Sequence, residues 1–203
     1  MRSQPNMIVV APANVAQAAA SLWATLDLPG PVYYRVGKYE GPAIAELEGQ
    51  VRRGRIKLVQ HWSDVGILAT GDIAAEAWQA GKRIAFEGFS RGIAVVGCLS
   101  PVTRGHCVAP LADVPVAFTA ESHYLNGGVT SLMAEVITED GLACRLFRFG
   151  LPVVPETSSE SQGFMQRHTG LDATSLAERV FVLAAQRQSG ERTRSGRDPT
   201  RPS

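Results

Sequence analysis

Glu121-Ser-His123 followed by Asn126-Gly127-Gly128 is the densest grouping of chemically capable residues in the chain. They fall at the carboxyl end of an expected parallel strand, where open α/β sheets tend to hold their sites, and paired glycines let backbone N–H groups approach an anion at a helix N-terminus. The same residues also suit a tight strand-to-helix turn or an interface, and the pattern is not Gly-x-Gly-x-x-Gly, so all three readings stand. Arg35 is the second candidate. It closes an apolar segment, where its guanidinium must pair either with an internal acid or with an anionic, phosphorylated ligand that its planar fork fits.

Other chemistries find no support. His61, His106, His123 and His168 share no metal-ligand spacing with one another or with a cysteine, so no metal site is expected. No Gly-x-Ser-x-Gly elbow marks a serine nucleophile, and no catalytic residue is assigned. The three cysteines cannot close a set of disulfides, which favours a reducing, cytoplasmic setting. Cys98 and Cys144 fall at the ends of expected buried strands, and Cys107 in a connection.

Positioning these residues requires elements before and after them. Met7 to Ala11 reads as a strand, and Asn14 with Gln17 as a capping-box variant opening a helix. Ala18, Leu22 and Leu26 give that helix an expected buried stripe, and Pro31 to Val36 reads as a second, buried strand. Residues 38–55, rich in glycine and charge, read as a surface linker. Beyond them come strands at Ile56 to Gln60, Asp64 to Gly71, Gly92 to Gly97, Val116 to Ala120 and Cys144 to Phe149. Helices are expected after Asp72, where Ile73, Ala77, Ala80 and Ile84 share a face, and after Asn126, where Val129, Leu132, Met133 and Val136 do. Asp172 caps a last helix with Leu176, Val180 and Leu183 on one side. Strands alternating with helices predict an α/β fold, a mostly parallel sheet covered on both faces. The expected division is a partial α/β unit at 1–37, the linker at 38–55, a main domain at 56–185 and a disordered basic tail at 186–203.

Composition agrees with that class. The 203 residues are 45% hydrophobic and 19% charged, enough apolar material for a sizeable core. A formal net charge of +1 gives no sign of a nucleic-acid or membrane partner. No apolar run approaches the length of a membrane span, and the opening residues do not resemble a secretion signal.

In order and spacing, these segments resemble the C-terminal part of the transketolase family of thiamine diphosphate enzymes. Val9-Val-Ala-Pro-Ala13, a helix, and Gly30-Pro-Val-Tyr-Tyr-Arg-Val-Gly37 resemble the end of the family's pyrimidine-binding domain. Asp64-Val-Gly-Ile-Leu-Ala-Thr-Gly71 resembles the opening of the C-terminal domain, and Glu121 to Gly128 its Glu-x-His and double-glycine turn. Gly163 to Val180 resembles its closing helices; the likeness covers roughly residues 7 to 183. Thr130 stands where the family has a third glycine, and Ser100-Pro-Val-Thr103 replaces its proline and acid.

The resemblance implies ketol transfer on sugar phosphates, with the thiazolium ring of the cofactor as electron sink. It also implies that thiamine diphosphate and Mg²⁺ belong to the assembled enzyme and not to this chain alone, because nothing here matches the diphosphate-binding domain or the glutamate that activates the aminopyrimidine. Arg35 matches a family arginine that holds substrate phosphate. Glu121, His123, Gly127 and Gly128 would serve the turn or the interface. The expected partner is a chain carrying the diphosphate-binding domain and the rest of the pyrimidine domain, or a further copy in a homo-oligomer. Two other readings remain: a fragment of the β component of an oxoacid dehydrogenase, and a noncatalytic scaffold or binding module.

Overall fold

The computed structural model describes residues 1–37, 44–47, 53–61, 64–151 and 160–195, with backbone only for Arg91 and for 187–195. The chain begins with β1 (Ile8–Val10), α1 (Val15–Thr25) and β2 (Val32–Tyr34). β1 and β2 run parallel in the register Ile8 to Val32 and Val10 to Tyr34. Asn14 starts α1, its Oδ1 accepting the N–H of Gln17 at 2.8 Å, while Gln17 Oε1 accepts from Ala13 N at 2.9 Å. The anticipated capping pair therefore forms, satisfying two backbone donors that the helix start would otherwise leave bare.

The main sheet follows. β3 (Lys57–Gln60), β4 (Val65–Thr70), β5 (Arg91–Val95), β7 (Val116–Tyr124) and β8 (Arg145–Leu151) lie in the order β3-β5-β4-β7-β8. All neighbours are parallel except β3, which joins β5 antiparallel at one edge. Side-chain alternation along the strands builds a core on each face. Val65, Ile67 and Ala69 of β4 and Val116, Phe118 and Ala120 of β7 face α2 (Ala74–Phe86) and α6 (Ala173–Ser195). Leu68 and Ala117, one residue out of step, face α3 (Arg104–Ala112) and α4 (Val129–Glu139). Phe118 is fully buried and stacks between Phe147 at 5.2 Å and Phe149 at 5.4 Å, so truncating it would cost about 3–5 kcal/mol. The mostly parallel, two-faced α/β fold is as the sequence predicts.

Several local expectations are corrected. The stripe Ala18, Leu22 and Leu26 is not the packed side of α1: Gln17, Ser21 and Thr25 are buried, and Leu22 and Leu26 are 55% and 69% exposed. The capping geometry fixes which way the helix turns, and it turns its polar row inward. β2 is shorter than expected and only partly covered, as its place at the sheet edge dictates, and Arg35 lies just past it. Cys107 sits in α3, not in a connection; it is wholly buried, and burial pushes its thiol up to about 11. α3 escaped the sequence pattern because Pro110 and two small residues blur its apolar period. β6 (Cys98–Ser100) was also unforeseen, and it pairs antiparallel with β1, so hydrogen bonding crosses the expected division between 1–37 and 56–185. Most of the expected linker lies outside the described residues, but Ile44 and Leu47 are core side chains rather than surface ones. The helix α6 continues to Ser195, ten residues past the expected end at Ala185, since the intervening Gln, Arg and Glu residues are good helix formers. Residues 196–203 of the expected tail lie outside the described residues.

Candidate functional site

β4 and β7 are adjacent, yet the helices that follow them, α2 and α4, pack on opposite faces of the sheet. Such a pair leaves a crevice beyond its carboxyl ends, the place where open α/β sheets bind ligands. Thr70 pairs with Glu121 at the last step of the register, so Asp72 and Ser122 both emerge at the crevice.

Asp72 is the hub. Its Oδ1 accepts from Ser122 Oγ at 2.6 Å and its Oδ2 from Gln162 Nε2 at 2.7 Å, Gln162 opening α5 (Gln162–His168). Arg35 reaches the same point from the end of β2: Nη2 donates to the Ser122 carbonyl at 2.9 Å, both terminal nitrogens lie 3.3 Å from Ser122 Oγ, and Nη1 is 3.9 Å from Asp72 Oδ1. The Asp72 carboxylate is thus held mainly by the hydroxyl and the amide, and among the described residues the guanidinium keeps donors to spare. A β-carbon on Gly37 would come 2.7 Å from Asp72 Oδ2, so the chain leaving Arg35 passes close only because residue 37 has no side chain. Beside this junction lies a cleft of about 230 Å³, lined by Arg35, Asp72, Ser122, Gln162, Gln166 and Thr169 among others. The lining sets the Arg35 cation, the Asp72 carboxylate, hydroxyls and amides beside the apolar Leu151, Met165 and Leu171. A groove of about 260 Å³ runs between α2 and α6, but it lies on the helical flank, away from the strand ends.

One residue either side of Ser122, the strand turns its side chains the other way. Glu121 is fully buried, and its Oε2 accepts the N–H of Val129 at 2.9 Å, at the start of α4, where the helix dipole favours negative charge. His123 Nε2 lies 3.4 Å from the same oxygen, and its Nδ1 lies 2.8 Å from the Tyr124 carbonyl. Glu121 Oε1 has no partner among the described residues. The glycines of the turn differ in reason: Gly127 has a φ of +81° with open space around it, whereas Gly128 abuts the Glu121 carboxylate and the His123 ring.

The structure therefore brings Arg35 within reach of the Glu121–His123 strand end through Ser122. Sequence reasoning missed Ser122, Asp72 and Gln162. Asp72 carried a signal, since it follows the apolar strand next to that of Glu121, but strand order was not readable. Among the described residues no three His, Cys, Asp or Glu side chains converge to hold a metal ion. The Mg²⁺–diphosphate end of thiamine diphosphate therefore has no ligand set in them, and no step through that cofactor is derived from these residues.

The chain is a doubly wound α/β domain with its crevice at the β4–β7 strand ends. No family profile matches the chain. It is 30% identical over 183 residues to "Putative transketolase C-terminal section" of Methanocaldococcus jannaschii, covering 89% of this chain and 57% of that protein. Against one of the subunits of the apulose-4-phosphate transketolase of Actinobacillus succinogenes it is 26% identical, covering 90% and 59%. Among solved structures, "Split gene transketolase, inactive beta4 tetramer" superposes with a TM-score of 0.81 at 28% identity, over 92% of this chain and 59% of that one. Along nine tenths of its length the chain is thus similar to proteins named as transketolase sections or subunits, and its fold matches that of a split-gene transketolase. It spans less than three fifths of the length of these relatives.

Proposed function

We propose that the chain is the C-terminal component of a thiamine diphosphate-dependent ketol-transfer enzyme acting on sugar phosphates. The observation that carries this reading is the match along nine tenths of the chain to proteins named as transketolase sections or subunits, at under three fifths of their length. In this reading it supplies structure, an interface and the Arg35 cleft, while the cofactor site lies on polypeptide outside the described residues. Thiamine diphosphate would supply the electron sink for breaking the bond next to the ketose carbonyl. Arg35 would hold the substrate phosphate from the Ser122–Asp72 junction, its spare donors facing the cleft. Glu121 and His123 would keep the turn into α4 fixed against that junction.

The solved relative is named as an inactive β4 tetramer, which supports two parts of the proposal: this chain is not catalytic alone, and it self-associates besides joining a chain that carries the remaining domains. No helix among the described residues is long and apolar enough to cross a membrane, which fits a cytoplasmic enzyme of soluble sugar phosphates.

Purification through a tag on this chain from its own cells tests the reading. The expected preparation contains thiamine diphosphate, a second polypeptide and ketol transfer between sugar phosphates. A preparation with the chain as its sole polypeptide, no cofactor and no transfer overturns it.

A further inference from the structure

α5 turns a polar row toward the Arg35 cleft. Gln162, Gln166 and Thr169, four and three residues apart, stand on one side of the helix and its C-cap, span about 10 Å, and all line the cleft. Gln166 is only 6% exposed, yet no hydrogen bond reaches its side-chain amide among the described residues. A buried amide without a partner is costly, and an apolar side chain of the same shape would pack as well, so packing does not account for a glutamine there. Its two neighbours present acceptors. Gln162 Nε2 donates to Asp72 Oδ2 at 2.7 Å, which turns Oε1 away from that carboxylate, and Thr169 Oγ1 donates to the Met165 carbonyl at 2.7 Å, which leaves its lone pairs open. An acceptor, an amide that can both donate and accept, and a second acceptor in line match successive hydroxyls of a ligand.

Charge decides how much of the recognition these contacts must carry. Arg35 is the cation of the cleft, but Asp72 Oδ1 lies 3.9 Å from its Nη1 and cancels part of its pull on an anion. A bare anion therefore gains little here, and the remaining affinity falls to uncharged contacts. Leu151, Met165 and Leu171 complete the lining and suit the carbon–hydrogen edges of a chain. No aromatic side chain among the described residues lines the cleft, so a flat ring would find nothing to stack on. An open, hydroxylated chain with one terminal phosphate meets all of these features.

We propose that Gln162, Gln166 and Thr169 are specificity-determining residues that read the hydroxyls of an open-chain sugar phosphate whose phosphate lies at Arg35. The proposal rests on the sugar-phosphate reading given above and deepens it: Arg35 holds the anion, and the α5 row selects among chains that carry one. Asp72 is a positioning residue, fixing the Gln162 amide and the Ser122 hydroxyl. The residues that line the cleft all belong to this chain, so the chain alone should bind such a ligand weakly, with a dissociation constant on the order of 1 mM.

NMR titration of the full chain with xylulose 5-phosphate, xylulose and inorganic phosphate reads this directly. Xylulose 5-phosphate should bind at least about tenfold more tightly than either of the others. Gln166→Leu should weaken it by about five- to tenfold and leave inorganic phosphate unchanged, while the melting temperature holds or rises because a buried amide without a partner is removed. Thr169→Val keeps the shape and removes only the hydroxyl; it should give a smaller loss in the same direction, and it decides the matter if Gln166→Leu does not fold. No saturable binding of xylulose 5-phosphate up to about 20 mM, inorganic phosphate bound as tightly, or a Gln166→Leu chain that melts lower with unchanged binding would each overturn the proposal. Hydroxyl-dependent binding in a chain whose complexes never transfer ketols would sink the proposed function and leave this row standing. An active complex whose KM for sugar phosphate is unmoved by both variants would do the reverse.

Discussion

Gly128 packs so tightly against Glu121 that a single β-carbon at residue 128 would run into the buried carboxylate that anchors the first turn of α4. Neither partner can give way, since Glu121 is walled in and hydrogen-bonded to Val129. Gly128→Ala should therefore cost about 3 kcal/mol or more, by overpacking and by breaking the carboxylate's hydrogen bond. Gly127→Ala meets open space and pays only for its positive φ, about 1–2 kcal/mol. Urea unfolding of both variants checks the order; equal losses would mean that the close approach is not real.

Asp172 gives a pH-dependent test. Its partial burial works to raise its pKa, but hydrogen bonds from the Ser175 hydroxyl at 2.5 Å and from the Ser175 and Thr174 N–H groups outweigh that and hold it below the usual aspartate value. A depressed folded pKa adds stability that is present above the unfolded value, near 3.8, and is lost as pH falls through the folded one. Asp172→Ala should lower stability by about 1 kcal/mol at neutral pH, as for a lost helix cap. The gap between wild type and variant should close in acid, and thermal melts from neutral pH down to pH 3 would show it.

Arg35→Ala separates a phosphate clamp from a purely structural clip. In an assembled, active enzyme a lost charge-assisted contact to substrate phosphate is worth on the order of 2–3 kcal/mol. The specificity constant for phosphorylated sugars would fall by roughly 30- to 150-fold, with little change for unphosphorylated analogues. If Arg35 only clips β2 to Ser122 and Asp72, the melting temperature drops and both substrate classes lose activity alike. Kinetics with both classes, run beside the melts, distinguish the two outcomes.

Calorimetry of the purified chain with Mg²⁺ and thiamine diphosphate should show no saturable heat at micromolar cofactor. A clear binding isotherm would mean that this chain holds a cofactor site that its described residues do not reveal.

What the sequence disclosed followed the physics of each element. β4 and α2 were readable because their apolar spacing is set by burial on both sides, and Ile73, Ala77, Ala80 and Ile84 are all buried as the period requires. α1 misled because period alone does not say whether an apolar row meets its own sheet or something else, and the capping geometry at Asn14 decided it. Arg35 was legible as a cation needing a partner. Its partners were not, because Ser122 and Asp72 lie 87 and 37 residues further along the chain and meet only through the order of strands. Three-residue β6 and proline-bearing α3 are too short or too irregular to stand above loop composition.

β1 has a consequence for the order in which the molecule can form. Its antiparallel neighbour, reached through Val9 and Ser100, is made some ninety residues later. At roughly 5–20 residues per second of synthesis, the strand waits about 5–20 s for that edge to exist. Until then Ile8, Val9 and Val10, nearly inaccessible in the finished protein, stand open beside a three-residue parallel partner. β1 is thus closed on both sides only once β6 has been made, which makes it a natural holding site for a chaperone during translation.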